Sequence, residues 1–406
     1  MNQPKATDFP PIPRAVWVIG WATFLINSSS VMIFSLSSIY LNSILGVSTG
    51  WIGLLEGVVE GCAYATRIFS GVLSDYLRRR KGIMCLGYFI VTVARPMLAI
   101  SSSFAGVFTA RMLDRLGNGI QATPRDALIS DIAPPTIKGE CFGLRVSLAT
   151  AGSLFGGVAA IAVMWWTMDN YHMVFWMATI PAFLAFVILV LAVSEPEQNL
   201  HPADHKKRHP IHWSDIPRLG KSYWMIMVVV SCFMFARVGE VFLVIHVHKN
   251  FGLSQGYVPF VHILYNATYA LSSYPVGWLS DRYSRYTLLG IGMIVLIITD
   301  LILGFAESLT VAFFGIVFWG VQMGISQSLF LALVADHVPE DLRGTGFGFY
   351  YLISSISVIF ASIIAGVIAD NYGEGASFQY SSIVAFISLL LLIVVRISNE
   401  KRKQKN

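Results

Sequence analysis

Charged side chains inside long apolar segments are the residues of this sequence best placed to do chemistry. If such a segment crosses a membrane, a charge near its centre costs about 2.5–3.5 kcal/mol on insertion scales, so each one requires a partner, a water-filled cavity or a function. Most of these charges lie in the first half of the chain, which favours specialised chemistry there. They are Glu56, Glu60, Arg67, Arg95, Arg111, Asp114, Arg115, Arg125, Asp126 and Arg145, followed in the second half by Arg237, Glu240 and Asp300.

Helical spacing gathers several of these residues into stripes. Glu56, Glu60 and Arg67 are separated by four and seven residues, so at about 100° per residue they share one face of a helix. Arg237 and Glu240 are three residues apart and can pair on one helix. Two further stripes, which we expect to line the same central cavity, consist of Arg111, Arg115, Asn118 and Arg125 and of Asn27, Ser30, Phe34 and Ser38.

The arginines towards one end of their segments predict a site for an anion. Arg67, Arg125 and Arg145 lie at similar depth, with Asp126 as the acid among them. A guanidinium binds a carboxylate through two hydrogen bonds, and an uncompensated guanidinium is costly in a membrane. We therefore expect an organic anion to bind there, with a purely structural Arg–Asp network as the alternative. Further substrate-binding candidates are Arg111, Arg115, Asn27 and Arg237.

Glu56 and Glu60 are the first candidates for coupling to protons. Burial raises the pKa of a carboxyl group and a neighbouring arginine lowers it, so an exchange of partners can load and release a proton. In the alternative interpretation, both carboxylates are permanently paired with Arg111 or Arg95. The further candidates for proton coupling are Asp126 and Glu240.

The composition indicates which elements position these charges. Of the 406 residues, 55% are hydrophobic and 13% are charged, whereas soluble proteins carry about 25% charged residues. Apolar runs of roughly 20 residues recur, long enough to cross the hydrocarbon layer as helices and too long for barrel strands. We predict an all-α membrane protein with twelve transmembrane helices near 15–41, 50–75, 82–101, 105–132, 140–165, 173–193, 222–248, 256–280, 286–306, 309–336, 345–369 and 377–397.

The positive charges orient these predicted helices. With the N-terminus in the cytoplasm, the cytoplasmic tails and loops hold 20 of the 28 lysines and arginines, and the opposite loops hold only Lys249. This asymmetry follows the positive-inside rule and places both termini in the cytoplasm. We therefore predict a multi-pass protein of the bacterial inner (plasma) membrane.

Two blocks of sequence recur in the second half at nearly one offset. The block 71–79 is echoed at 277–285, 206 residues later, and the block 127–134 is echoed at 332–339, 205 residues later. Such internal repeats are typical of transporters built from two related halves. We predict a cytoplasmic tail 1–14, a six-helix bundle 15–193, a cytoplasmic linker 194–221, a second six-helix bundle 222–397 and a basic cytoplasmic tail 398–406.

The repeated loop resembles that of the major facilitator superfamily, whose pattern is Gly-x-x-x-Asp-Arg-x-Gly-Arg-Arg. Gly71, Asp75, Arg79 and Arg80 match the first copy, and two positions depart from it. The resemblance implies two pseudo-symmetric six-helix bundles and secondary transport by alternating access. The residues that match the second copy are Gly277, Asp281, Arg282 and Arg285.

This resemblance also implies a gate on the cytoplasmic side. In the family, the aspartate of each loop lies near the start of a helix in the other half, and the later arginine meets an acid that ends helix 4 or helix 10. A carboxylate is favoured at a helix N-terminus, which fits this arrangement. Charges that serve topology alone are the alternative. The gating candidates are Gly71 and Gly277 with the clusters Asp75–Arg79–Asp131 and Asp281–Arg285–Asp336.

The run Pro124-Arg125-Asp126-Ala127-Leu128-Ile129 in helix 4 resembles a recurrent signature of one bacterial branch of the superfamily. Pro124 removes a backbone hydrogen bond and bends the helix, which places Arg125 at the bend. The corresponding segment of the second half has lost the proline, the arginine and the aspartate. This asymmetry favours a functional role over a shared scaffold role.

Motifs for other chemistries are incomplete in this sequence. The segment 219–222 ends like a phosphate-binding loop but lacks its first glycine, and the glycines at 117 and 119 lie within a helical segment instead of following a strand. These departures argue against an ATP-driven pump and a dinucleotide-binding protein. We predict no catalytic residue, no metal site, no cofactor and no nucleic-acid partner, so the protein is not expected to be an enzyme.

The sequence thus predicts a monomeric secondary transporter in the lipid bilayer, coupled to protons as a symporter or antiporter. Its expected substrate is a small organic solute, anionic or carboxylate-bearing, such as a metabolite or a siderophore. Multidrug-type efflux of amphipathic compounds is one alternative, and a transporter-like sensor or receptor without transport is another. Import and export are not distinguished at this stage.

Overall fold

A computed structural model describes residues 11–77, 80–194, 217–280, 282–339 and 342–403. Within these ranges all regular structure is helical. The α-helices are α1 (Arg14–Ile39), α2 (Thr49–Leu77), α3 (Arg80–Ala99), α4 (Phe104–Ile132), α5 (Lys138–Trp166), α6 (Tyr171–Ala192), α7 (Gly220–Ala236), α8 (Glu240–Phe251), α9 (Pro259–Ser280), α10 (Arg285–Gly304), α11 (Leu309–Ala335), α12 (Arg343–Tyr372) and α13 (Glu374–Lys403).

Nine helical segments in the described ranges are long and apolar enough to cross a membrane, when α7 and α8 are taken together. Three other long helices, α2, α4 and α9, are not among the nine. The first two carry the intramembrane charges noted above, because both Glu56 and Arg67 lie in α2 and Arg125 lies in α4. The charges of α2 and α4 therefore lower the hydropathy of two helices that hold candidate residues.

Local sequence signals mark several helix ends. Ser103 accepts a hydrogen bond from the backbone N–H of Gly106 at the start of α4, and Ser308 does the same for Val311 at the start of α11. A side-chain oxygen at this position satisfies one of the free N–H groups of the first turn. Gly252 ends α8 with a φ of 65°, a left-handed conformation that glycine adopts without a Cβ penalty.

The predicted span 222–248 is interrupted in the structure. The helix α7 ends at Ala236, and α8 begins at Glu240 after an extended Gly239 with φ −64° and ψ 151°. Arg237 and Glu240 therefore do not lie on one helix, and the three-residue spacing that suggested a pair between them does not apply. Hydropathy did not reveal this break because the residues on both sides of it are apolar.

The described residues divide into two compact units. The first unit takes its residues from Met1–Ile33, Thr66–Val163 and Asn170–Arg208, and the second from Phe34–Ala65, Met164–Asp169 and His209–Asn406. Apolar side chains such as Val16, Met84 and Leu128 form the core of the first unit. The core of the second unit is built from α7, α9, α10, α11, α12 and α13. The division into halves that the repeat predicts, with bundles 15–193 and 222–397, stays a prediction.

Close contact between α2 and α12 organises part of the second unit. A Cβ atom on Gly53 would lie 2.5 Å from the Ser362 carbonyl oxygen, and one on Gly57 would lie 2.9 Å from the Ile359 carbonyl oxygen. Ser355 also donates a hydrogen bond of 2.7 Å to the Gly61 carbonyl. Small residues allow such close approach between membrane helices.

Candidate functional site

The most deeply buried ion pair of the first unit joins α3 to α4. Arg95 Nη1 lies 3.0 Å from Asp114 Oδ1, and the two side chains are 1% and 4% exposed. Arg95 Nη2 also donates a hydrogen bond of 2.8 Å to Ser30 Oγ on α1. Arg115 Nε lies 3.8 Å from the other oxygen of Asp114. One carboxylate thus holds two guanidinium groups in the interior of this unit.

Polar side chains continue along α4 from this pair. Asn118 Nδ2 donates to the Asp114 backbone carbonyl at 3.0 Å, and Gln121 Nε2 donates to Asn118 Oδ1 at 2.8 Å. Arg111, one turn before Arg115, is 1% exposed. The predicted stripe on helix 4 therefore begins at a buried arginine and continues along a half-buried polar face, as the spacing of three to four residues implies.

A second group of charges lies around Pro124 of α4. Arg125 Nε is 3.0 Å from Asp126 Oδ1, and Arg145 Nη2 on α5 is 3.6 Å from the same oxygen. Pro124 lies inside α4 immediately before them. The backbone carbonyl of Arg67 accepts a hydrogen bond of 3.1 Å from Thr123 Oγ1, which ties α2 to this turn of α4. The structure therefore brings the predicted anion-binding residues to one region of the first unit.

The first unit carries more cationic than anionic side chains in its apolar helices. The two aspartates Asp114 and Asp126 serve the ion pairs just described. The side-chain amide nitrogen of Asn27 donates a hydrogen bond of 2.8 Å to the Thr23 carbonyl within α1. The six arginines of this group are Arg67, Arg95, Arg111, Arg115, Arg125 and Arg145. Such an excess of guanidinium groups is suited chemically to a carboxylate or another small oxyanion.

The other predicted substrate and proton residues lie in the second unit. Glu56 is 5% exposed and Glu60 is partly buried, both on the part of α2 that belongs to this unit. Glu240 begins α8. Arg237 directly follows α7, and its charge reaches the phenol of Tyr350 on α12. The arginine at this helix break therefore interacts electrostatically with a tyrosine of α12, which sequence spacing did not indicate.

The predicted gating residues are described in part. In the second unit, Arg285 Nη1 lies 2.6 Å from Asp336 Oδ1 and donates 2.8 Å to the Ala332 carbonyl. In the first unit, Asp131 Oδ2 lies 2.6 Å from Nη1 of Arg80. Arg80 is the residue that follows the predicted Arg79. The gating candidates that lie outside the described side chains are Asp75, Arg79, Gly277 and Asp281.

Gly71 lies against α4 in the first unit. A Cβ atom at this position would lie 3.0 Å from the methyl carbon Cγ2 of Thr123. Such a distance is tight for a carbon–carbon contact, so a larger residue at position 71 would displace Thr123 or α4. The close approach gives a packing reason for the first glycine of the repeated loop. Its predicted part in gating stays a prediction.

We expect Asp336→Asn to separate a gating role from a topological one. The Arg285 and Asp336 side chains are 32% and 48% exposed, and ion pairs in contact with water contribute about 0–1 kcal/mol. The thermal unfolding midpoint of the purified protein should therefore change little. If the pair stabilises a closed state, solute flux in proteoliposomes should fall severalfold. An unchanged flux would assign the pair to topology.

Two polar contacts of the second unit were not predicted from the sequence. Lys249 Nζ lies 2.8 Å from Glu374 Oε1 and donates 2.9 Å to Thr49 Oγ1. Asp300 on α10 contacts Ser381 on α13. Lys249 and Asp300 were recognisable as isolated charges, but no spacing rule connects residues so far apart in the chain.

Comparison with known proteins gives a consistent result. The profile of the Major Facilitator Superfamily matches residues 19–258 and 240–406. An uncharacterised MFS-type transporter of Methanocaldococcus jannaschii is 29% identical over 393 residues, which are 95% of each chain. The quinolone resistance protein NorA of Staphylococcus aureus is 24% identical over 187 residues, 46% of this chain and 47% of its own. The crystal structure of a D-xylose-proton symporter matches with a TM-score of 0.73 at 16% identity, covering 93% of this chain and 96% of its own. Because the family profile spans nearly the whole sequence and the helical fold agrees with it, this chain belongs to the major facilitator superfamily of membrane transporters.

Proposed function

We propose that the protein is a secondary active transporter of a small organic anion. In this proposal the chain crosses the bacterial inner membrane twelve times, with both termini in the cytoplasm. The bundles 15–193 and 222–397 alternate access to the solute, and the pairs Arg285–Asp336 and Arg80–Asp131 act on the cytoplasmic side. The assignment of an organic anion as the solute goes beyond family membership and depends on the chemistry of the buried charges.

The excess of arginine in the apolar helices of the first unit carries the proposal. Arg125 and Arg145 share one oxygen of Asp126, so a single negative charge faces two guanidinium groups. Each guanidinium has five donors and fits a carboxylate through two parallel hydrogen bonds. A carboxylate-bearing solute would add the negative charge that this region favours and would do so with directional specificity.

The test uses the purified chain in proteoliposomes. A thermal-shift screen with mono-, di- and tricarboxylates and carboxylate siderophores selects candidates, which are then measured as radiolabelled flux under an imposed gradient. Arg125→Gln should raise the half-saturating concentration about tenfold or more, because a hydrogen bond to a charged group contributes about 1.5–3 kcal/mol. Arg14→Gln, at the exposed start of α1, is the matched control. Flux of neutral solutes only would contradict the proposal.

Proton coupling through Glu56 or Glu60 is expected to depend on the carboxyl group. Glutamine keeps the size of the side chain but cannot take up a proton, so Glu56→Gln or Glu60→Gln should abolish accumulation driven by a pH gradient while solute exchange continues. Glu307→Gln, an exposed acid in the loop after α10, should behave as wild type. If gradient dependence is unchanged in both variants, the coupling residue lies elsewhere.

Efflux of amphipathic compounds is the second candidate function. The partial similarity to NorA, named as a quinolone resistance protein, supports it. The second unit also contains a group of tyrosines: the Tyr64 and Tyr351 rings are 6.2 Å apart and those of Tyr350 and Tyr351 are 5.3 Å apart. Aromatic faces bind lipophilic cations. Extrusion of a cationic dye without carboxylate flux would favour this candidate, and binding without any flux would favour a sensor.

A further inference from the structure

Asp300 is a buried acid of the second unit whose surroundings define its charge. It lies in α10 and is 1% exposed. Its Oδ2 atom is 2.5 Å from the hydroxyl oxygen of Ser381 on α13. The same hydroxyl makes a hydrogen bond to the carbonyl oxygen of Ala236, the last residue of α7. One serine thus connects a buried carboxyl group to the end of a broken helix.

Proton counting determines the state of this group. The Ser381 hydroxyl has one proton, and the Ala236 carbonyl can only accept a hydrogen bond. If Asp300 were ionised, one of the two contacts of Ser381 would join two oxygen atoms with no proton between them. Both contacts are hydrogen bonds when Asp300 is a neutral carboxylic acid that donates to Ser381 Oγ, while Ser381 donates to Ala236.

The electrostatic surroundings agree with a neutral acid. Across the ranges that the structure describes, no lysine or arginine lies within ion-pair distance of Asp300, and Ser381 is its one side-chain partner. An ionised carboxylate buried without a cation is strongly unfavourable, so such a group holds its proton. Burial and hydrogen bonding therefore lead independently to the same protonation state.

The titratable groups on the neighbouring helices do not supply a compensating charge to Asp300. The helix α11 contains none. Tyr380 precedes Ser381 on α13, and Cys232 lies one turn before the end of α7. His246 on α8 contacts the rings of Phe251 and Phe378. The cation nearest in sequence to the α7 end is Arg237, whose charge acts on Tyr350 of α12.

We propose that Asp300 is a proton-binding site that controls the break between α7 and α8. On ionisation, the Asp300 O–H bond breaks and its proton passes to water. The Ser381 hydroxyl then turns its proton from the Ala236 carbonyl to the carboxylate. The carbonyl keeps only its bond of 3.1 Å from the Val238 N–H. Because Ala236 directly precedes Arg237, the protonation state of Asp300 alters the hydrogen bonding at the base of that arginine.

This site is separate from the residues assigned above to proton coupling and does not depend on which solute is transported. Carbonyls at the end of a helix lack an intrahelical partner, and broken helices in transporters commonly adjoin binding sites. A proton held beside such a break can therefore bias the conformation of α7 and α8. Its test needs no transported solute, so it can fail or succeed independently of the proposed function.

Infrared difference spectroscopy of the full-length protein in lipid nanodiscs tests the protonation state. Near neutral pH, the wild type should show the C=O stretching band of a protonated carboxylic acid that Asp300→Asn lacks. Glu307→Gln, an exposed acid just beyond α10, should retain the band. Ser381→Ala should keep the band but shift it to higher frequency, because the acid loses its acceptor. Identical spectra for wild type and Asp300→Asn in this region would overturn the proposal.

Hydrogen–deuterium exchange, corrected for the intrinsic pH dependence of the reaction, tests the link to the break. Exchange in the segment 237–241 should accelerate in the wild type as alkaline pH removes the Asp300 proton. The side-chain amide of Asp300→Asn stays neutral and can still donate to Ser381. In this variant the corrected exchange rate of the segment 237–241 should therefore not change with pH. Equal pH profiles for the two proteins would refute control of the break, even if Asp300 is protonated.

Discussion

Replacement of Asp114 by alanine is expected to lower the free energy of unfolding by about 3–5 kcal/mol, the range typical of breaking a buried ion pair from one side. Arg95, whose side chain is buried, would lose its ion pair with Asp114 and keep its hydrogen bond to Ser30. The neighbouring charges of Arg111 and Arg115 also act on Arg95 and repel it. The loss should appear as a lower thermal unfolding midpoint, followed by tryptophan fluorescence in detergent.

A double variant separates the ion pair from simple loss of packing. Exchange of a buried pair for apolar residues of similar volume is often neutral or stabilising, so Arg95→Leu combined with Asp114→Leu should recover much of the stability lost in Asp114→Ala. A double variant that is as unstable as the single one would show that Asp114 acts through Arg115 or Asn118 instead. Asp336→Asn, which removes one side of an exposed ion pair, should by contrast change the thermal unfolding midpoint only slightly.

Most helices could be predicted because hydropathy is a local property of the sequence. The predicted spans 140–165, 173–193 and 286–306 correspond to α5 (Lys138–Trp166), α6 (Tyr171–Ala192) and α10 (Arg285–Gly304). The charged stripe of helix 4 could also be predicted, since residues four apart share a face. In the structure Arg111 is buried and Arg115 is half-buried on the polar face of α4. Hydropathy therefore identified these helices, and periodicity identified the polar face of α4.

Contacts between distant residues were not predictable from one sequence. Asp300 and Ser381 are separated by 81 residues, and Lys249 and Glu374 by 125. No periodicity relates such positions, and serine is too common in this chain to attract notice. The break after Ala236 was equally hidden, because the residues on both sides of it are apolar and α7 contains no proline. The partner in each of these two side-chain contacts lies in another helix.

The packing of α5 on α1 is expected to be highly sensitive to substitution at Gly156. A Cβ atom on Gly156 would lie 2.8 Å from Ser28 Cα, and one on Gly152 would lie 2.9 Å from Phe24 Cα. Both obstacles are backbone atoms of α1, which cannot rotate away as a side chain can. Gly156→Ala should therefore cost about 1–3 kcal/mol of stability, as overpacked cores do, and Gly156→Leu should cost more.

Gly143 on the same helix is the matched control for this prediction. A Cβ atom there would meet no atom within 4 Å, so Gly143→Ala should be neutral or should stabilise α5 by up to about 1 kcal/mol through helix propensity. Thermal unfolding and the yield of monodisperse protein measure both variants under identical conditions. If Gly156→Ala were as stable as Gly143→Ala, α1 and α5 would have to be more loosely packed than the structure indicates. A clear difference would assign the small residues of α5 to helix contact, because the two substitutions add the same methyl group to one helix and differ only in what faces it.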